Sequence, residues 1–276
     1  MIFKDKSVVI TGGSDGVGAE VARKFADAGA NLTLAARGKK KLEAIAEELR
    51  DKTRVKISAM DVADSEACVS LLKKAEFEYG GVDILINNAG SHTRGPVEKT
   101  GEDDLATMVD VNLRAPIVLT RLALPYLRKS DGAAIINVGS LAGRAPIPGS
   151  AVYGATKAGL RSFTYALSEE LRDSTIKVAL VSPGPIDTGF IMSDIDGVSD
   201  LTFSQPISTA EEVAQTVLDL CGNSIREQSM PYSSGVLTTV AYLAPWLSRA
   251  IRPMLEKKGQ RVKRELKAAR DKAAND

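Results

Sequence analysis

The chain opens on a short unbroken apolar run, Ser7-Val-Val-Ile-Thr11, that leads straight into Gly12-Gly-Ser-Asp-Gly-Val-Gly18. Behind it Val21, Ala22, Phe25 and Ala28 recur at helical spacing, with Gly29 as a stop. The pattern predicts a buried strand, a tight turn and an amphipathic helix over 19–28. Further apolar runs of strand length stand near 31–35, 54–59, 83–87, 134–139 and 176–182, with helical patterns between them. Strands alternating with helices predict an α/β fold, a doubly wound parallel sheet of Rossmann type. In such sheets ligands bind outside the carboxyl ends of the strands, so the residues that follow each strand are the candidates for chemistry.

Two such candidates stand out. Backbone amides at the start of the first helix carry partial positive charge and can seat a pyrophosphate without a basic side chain, and glycine lets phosphate approach closely. The spacing Gly12, Gly16, Gly18 differs from the G-x-G-x-x-G fingerprint, so a plain strand-to-helix connection stays open beside the nucleotide site. The second candidate is Tyr153 with Lys157, four residues apart in Val152-Tyr-Gly-Ala-Thr-Lys157. On a helix they share a face. A free phenol has a pKa of about 10 and moves a proton slowly near neutrality unless a neighbouring cation favours its phenolate.

Thr11-Gly12-x-x-x-Gly16-x-Gly18, Asn87-Asn88-Ala89-Gly90, Asn112, Ser140, Tyr153-x-x-x-Lys157 and Pro183-Gly184 together resemble the classical short-chain dehydrogenases/reductases, in the family's order and at its intervals, over roughly residues 5 to 190. That resemblance implies a parallel sheet of about seven strands and the chemistry of a carbonyl or secondary alcohol. Reduction of a ketone needs a hydride to carbon and a proton to oxygen. Tyr153 is the acid/base candidate, Ser140 can hydrogen-bond the same oxygen, and Lys157 would depress the tyrosine pKa and hold the nicotinamide ribose. By resemblance Asn112 binds a relay water; otherwise it is an ordinary helix residue at a kink.

The cofactor site implied by the resemblance takes in Gly12, Ser14, Asp15, Gly16, Val17 and Gly18 of the first turn, Asp61 and Val62 after the third strand, and Asn88, Ala89 and Gly90 after the fourth. Tyr153, Lys157, Pro183, Gly184, Ile186 and Thr188 complete it. An N-terminal cap is the alternative role for Asp61 or Asp64. After the second strand Leu34-Ala35-Ala36-Arg37 offers no carboxylate to a ribose hydroxyl, whereas Arg37 supplies a fork of donors suited to a 2'-phosphate. NADP is therefore expected over NAD, although Asp15 would oppose a phosphate nearby. Lys39, Lys40 and Lys41 read equally well as a solvated helix start. His92, the only histidine, reads as a loop residue without a catalytic partner.

The 276 residues carry a net charge of +1, which points to no nucleic-acid partner, and 44% are hydrophobic, enough for one large core. Cys68 and Cys221 show no metal spacing and fit a reducing compartment. No metal is expected. With no room before the first strand for a signal peptide, the expected location is cytoplasmic. Residues 1–230 are expected to form the cofactor-binding and catalytic domain. Within them 187–208, polar but interrupted by Phe190, Ile191, Met192, Ile195, Leu201 and Phe203, suit a mobile lid over a non-polar substrate.

Residues 231–276 form a C-terminal helical extension: a nearly uncharged stretch over 235–251, interrupted by Pro245, then a basic tail with ten Lys or Arg against four Asp or Glu from Arg249 onward. The stretch is short of a membrane span. It reads either as a membrane-surface anchor or as helices packed on the substrate lobe or a dimer partner, followed by a solvated tail. The family's usual last strand, ending in a Val-Asp-Gly-Gly type segment, has no counterpart, which makes a tetramer doubtful; a homodimer is expected by resemblance. The expected activity is hydride transfer between NADP(H) and a hydrophobic or lipid-like carbonyl or alcohol. An NAD-dependent hydroxysteroid or secondary-alcohol dehydrogenase and a non-catalytic cofactor-binding regulator are the alternatives.

Overall fold

Central strands that point successive side chains to opposite faces must be apolar throughout when both faces are covered, and the first strand, β1 (Ser7–Thr11), is buried at every position. The computed structural model describes residues 3–192 and 194–275. Val8 and Ile10 of β1 pack beneath α1 (Gly16–Asp27), while Val9 packs on the opposite face. Then follow β2 (Asn31–Ala36), α2 (Lys39–Leu49), β3 (Val55–Ala59), α3 (Ser65–Tyr79), β4 (Ile84–Asn87), α4 (Glu102–Val109) and α5 (Ala115–Leu127). Next come β5 (Ala133–Val138), α6 (Ala151–Glu170), β6 (Ile176–Pro183), the short β7 (Ile186–Asp187), α7 (Gly189–Met192), β8 (Ser208–Thr209) and α8 (Ala210–Gly222). β9 (Glu227–Met230), α9 (Tyr232–Leu243) and α10 (Pro245–Asn275) end the chain.

The main sheet has seven parallel strands in the order β3-β2-β1-β4-β5-β6-β9. β1 lies between β2 and β4, so the strand order reverses there and a crevice opens at the carboxyl ends of β1 and β4. The six strands expected from the sequence form within a residue or two of their expected bounds. The seventh corrects the expectation that the last strand is missing. Glu227-Gln-Ser-Met230 has no β-branched residue, yet it pairs with β6 from Leu180↔Glu227 to Pro183↔Met230. Its Glu227 carboxylate is inside, accepting from Ser182 Oγ (2.7 Å), Tyr165 OH (2.8 Å) and Arg161 Nε (2.9 Å), with Arg144 at 3.2 Å. Side-chain polar bonds hold this strand where apolar packing holds the others.

The segment between β7 and β8 also differs from expectation. Ile195 and Phe203 do not line the cleft but form a small core with Val198 and with Val262 and Leu266 of α10, whereas Phe190, Ile191 and Leu201 do line it. Lys263 Nζ donates to the carbonyls of Asp196 (3.1 Å) and Val198 (2.8 Å), and Lys267 pairs with Asp196. Gly259 permits the approach, because a Cβ there would stand 1.8 Å from the Asp200 carbonyl oxygen. The segment expected to be a lid is thus anchored by the basic tail, part of which is not the solvated face expected. Among the described residues no helix is long and apolar enough to cross a membrane.

Candidate active site

Asp15, in extended conformation, caps α1 by accepting from Gly16 N at 2.8 Å, so the helix starts at Gly16, three residues earlier than its apolar spacing suggests. Gly12 has φ +67°, and a Cβ on it would lie 2.7 Å from Asn88 Nδ2. A Cβ on Gly18 would lie 2.0 Å from the Gly12 carbonyl oxygen. Only glycine fits either position. Asn88 locks the turn from the neighbouring strand, donating through Nδ2 to the carbonyls of Thr11 (3.0 Å) and Gly12 (3.2 Å). Thr11 Oγ1 returns the contact by accepting from the amides of Asn88 and Ala89.

Val17 and Gly90 line the cleft beside this turn, whereas Ser14, within the turn, does not. Asp15, feared as an opposing charge, is bonded to Lys41 Nζ at 2.5 Å, and that hydrogen bond holds its carboxyl below the usual range. Lys41 is a solvated residue of the first turn of α2, as read from the sequence, and offsets part of that charge from there. Arg37 follows β2, is exposed, and has no ion-pair partner among the described residues. Asp61 accepts from Ala63 N (2.9 Å) in a local turn beside half-buried Val62, whereas Asp64 caps α3. Pro183, Gly184, Ile186 and Thr188 leave β6 and enter the wall of the cleft.

The catalytic candidates converge from three elements. Ser140 follows β5, and Tyr153 and Lys157 share one face of α6. Ser140 Oγ accepts from Ala142 N at 3.1 Å and stands beside the Tyr153 hydroxyl in the wall of the cleft, where it favours the phenolate. Burial pushes the phenol above its usual value, opposed by Ser140 and by the charge of Arg94. Lys157 reaches past the ring to the backbone of β5. Its ammonium is buried, donates to the Val138 carbonyl at 2.8 Å, and stands 5.8 Å from the Tyr153 ring centroid. Burial pulls its own pKa down to about 8.

Asn112 sits in a one-turn π-helix, Asp110–Arg114, between α4 and α5. Its side chain clasps Ser91, with Oδ1 accepting from Ser91 N (2.8 Å) and Nδ2 donating to Ser91 O (2.8 Å). The side chain is therefore occupied in fixing the loop after β4. π-turns free backbone groups and recur at functional sites.

Sequence reading passed over several residues. The His92 ring stacks on Tyr153, centroids 4.1 Å apart and planes 15° apart. It is half-buried, and burial with the Arg94 and Lys157 charges holds its pKa at about 4, so the imidazole is neutral at physiological pH. Arg94 donates to the Phe190 carbonyl (2.7 Å) and pairs with Asp194 (3.2 Å), drawing the lid over this aromatic stack. Beneath the site Asn87 Nδ2 donates to Asn137 Oδ1 (2.8 Å) and Asn137 Nδ2 to Thr164 Oγ1 (2.8 Å), tying β4, β5 and α6. Asn87 belongs to the motif at the end of β4, and for His92 and Arg94 the one forward signal was their position just beyond that strand.

A cleft of about 690 Å³ runs from Gly12 and Asn88 past Ser140 and Tyr153 and on between the lid and α9–α10. Beyond Tyr153 its walls are chiefly apolar, with Leu141, Ile147, Leu201, Leu237, Leu247 and Ile251 among them. Among the described residues no cluster of His, Cys, Asp or Glu could hold a metal ion.

A parallel sheet with a glycine turn at its reversal point and Ser, Tyr and Lys converging beside it is the arrangement of a nucleotide-dependent oxidoreductase. Residues 6–197 match the family model described as short chain dehydrogenase, and the chain belongs to that family. Similar relatives include sulfoacetaldehyde reductase 2 of Chromohalobacter salexigens, 37% identical over 217 residues (76% of this chain, 86% of the relative). An uncharacterized oxidoreductase of Staphylococcus epidermidis is 35% identical over 185 residues (67% and 80%). A short chain dehydrogenase from Burkholderia cenocepacia, solved in complex with NADP, superposes with a TM-score of 0.77 at 28% identity, covering 84% of this chain and 99% of that one. The closed form of a serine dehydrogenase complexed with NADP+ gives 0.72 at 30% identity, covering 81% and 93%.

Proposed function

We propose that this chain reduces the carbonyl of a hydrophobic or lipid-like substrate with NADPH, or oxidises the corresponding secondary alcohol. The observation that carries this reading is that Ser140, Tyr153 and Lys157 line one cleft together with the glycine turn, at the end of a long apolar passage. The glycine turn, with no room for side chains at Gly12 and Gly18, fits a pyrophosphate, and unpaired Arg37 fits a 2'-phosphate. When bound there, the nicotinamide would supply or accept the hydride. Tyr153 would give its proton to the substrate oxygen, and Ser140 would hydrogen-bond that oxygen as negative charge develops on it. Lys157 would hold the nicotinamide ribose. Neutral His92, stacked on the phenol, would fix the ring's plane.

NADP is favoured over NAD because Lys41 already holds Asp15 and Arg37 is free. NADP complexes among similar structures support the same choice, and the relative named for sulfoacetaldehyde supports aldehyde or ketone reduction. A two-carbon sulfonate would leave most of this apolar cleft unfilled, which favours a larger substrate here. Residues 1–230 are assigned to cofactor binding and catalysis and 231–276 to substrate enclosure. A homodimer would pair through the helices carrying Asn112 and Tyr153.

The test is NADPH oxidation with carbonyl substrates of increasing chain length and ring number, using Tyr153→Phe as the blank. Turnover that rises with apolar size and falls about 10²–10⁴-fold in the variant supports the reading. Equal turnover in both proteins refutes it.

A further inference from the structure

Helix α9 is inside-out for a protein in water. Its Ser234, Gly235 and Thr238 are buried, and a Cβ on Gly235 would stand 2.3 Å from Ser229 Cβ, so the small face packs against β9. Its outward stripe is apolar. Tyr232, Val236, Val240 and Leu243 recur at helical spacing, and Tyr232 is 73% and Leu243 76% exposed. The stripe continues through the turn at Ala244 into α10, where Trp246 is 72% exposed. Exposed aromatic and aliphatic side chains in one contiguous patch mark a surface that meets something apolar.

Charge identifies the occupant. On α10 Trp246, Arg249, Pro253, Lys257 and Arg264 are exposed along one side, and Glu256, the acidic residue beside Lys257, is half-buried and paired with Arg252. Arg249 and Lys257 make no ion pair among the described residues. An apolar stripe with Tyr and Trp, bordered by free cations, is complementary to an anionic phospholipid surface: the aromatic side chains suit the headgroup boundary and the cations the phosphates. The patch also joins the cleft. Leu237, Val240 and Met254 line it and are themselves exposed at its rim.

We infer that α9 and the first half of α10 dock this protein on an anionic membrane surface, with the mouth of the cleft facing the acyl layer, so that substrate passes between bilayer and site without crossing water. The delivery half rests on the reading of the cleft given above; the docking half does not.

Trp246 is the only tryptophan in the chain, so its fluorescence reports the patch directly. The full chain is titrated with phosphatidylcholine vesicles with and without phosphatidylserine, and emission and co-sedimentation are followed. Docking predicts a blue shift and sedimentation with the phosphatidylserine vesicles, weakened by salt. Leu243→Glu should abolish both. Lys257→Gln should weaken binding about fivefold, as expected for one basic residue at such a surface. Leu243 does not line the cleft, so Leu243→Glu should turn over a short water-soluble aldehyde like the wild type. Unchanged emission with phosphatidylserine overturns the docking, as does an equal shift on phosphatidylcholine alone. Emission already blue in buffer that moves red on dilution as the mass halves also overturns it, because a second copy then covers the patch. Docking without any Tyr153-dependent turnover leaves the membrane surface standing and sinks the proposed activity alone.

Discussion

Replacing Glu227 by glutamine keeps the shape of the side chain and removes one charge from a buried cluster of three. The Glu227 side chain is 7% exposed and that of Arg144 is 11%, at 3.2 Å; Arg161, at 2.9 Å, is 35% exposed and better hydrated. Breaking a buried pair costs about 3–5 kcal/mol, because the partner's charge stays behind. The amide oxygen can still accept from Ser182 or Tyr165, which places the expected loss near the lower end, about 3 kcal/mol. For a chain of this size that is a fall in Tm of about 6–12 °C. Burial alone would raise the Glu227 pKa, but hydrogen bonds from Ser182 and Tyr165 and the two arginines hold it below the usual glutamate range. A carboxyl lowered on folding stabilises above its unfolded pKa of about 4.3, and that contribution disappears as pH falls through the folded value. Urea unfolding followed by far-ultraviolet circular dichroism should therefore show the two proteins well separated at neutral pH and converging below about pH 4. Arg144 also donates to Thr239 of α9 (2.9 Å) and Ser229 (2.6 Å), so KM for bulky substrates should rise more than KM for short ones. A neutral-pH difference under about 1 kcal/mol, or one that persists unchanged in acid, would refute the account.

Other substitutions probe separate parts of the site. Arg37→Asp should weaken NADPH binding about tenfold to a hundredfold and improve NADH binding, read by titration of each cofactor. Gly259→Ala puts a Cβ 1.8 Å from the Asp200 carbonyl oxygen; it should cost about 1–3 kcal/mol in unfolding and raise KM for large substrates while sparing short ones. Lys157→Met removes a buried ammonium whose pKa is pulled to about 8. A cation so depressed destabilises the fold below that pH and is relieved as pH rises toward the ordinary lysine value. The cofactor-free variant should thus be the more stable protein at pH 7, by roughly 1–3 kcal/mol, with the gap closing toward pH 10 in thermal melts, while losing turnover.

The central strands were legible because burial on both faces leaves little choice but Val, Ile, Leu and Ala, as at Val8, Val9 and Ile10. The Tyr153–Lys157 spacing was legible because a helix places such a pair on one face. β9 was not, since a strand held by a buried carboxylate has no apolar signature and Arg144, Arg161 and Ser182 lie far from it in sequence. His92 was missed for a related reason: stacking on Tyr153 is set by how the loop after β4 meets α6, and no local pattern records that. Lys157 shows the limit of inference from spacing. Four residues put it beside Tyr153, but it is the Val138 carbonyl, nineteen positions away, that accepts its hydrogen bond.

The clasp between α10 and the lid bears on how product leaves. A surface loop held only by its own turns can flicker on the nanosecond scale. Here Lys263 holds the carbonyls of Asp196 and Val198, and Phe203 is sealed under Val262 and Leu266, so the roof of the cleft and the helix behind it must swing as one body. Motions of that size belong to microseconds and longer. Opening the roof for egress would require the helix to move with it, the kind of step that sets turnover in many enzymes and that a dependence of kcat on solvent viscosity would reveal.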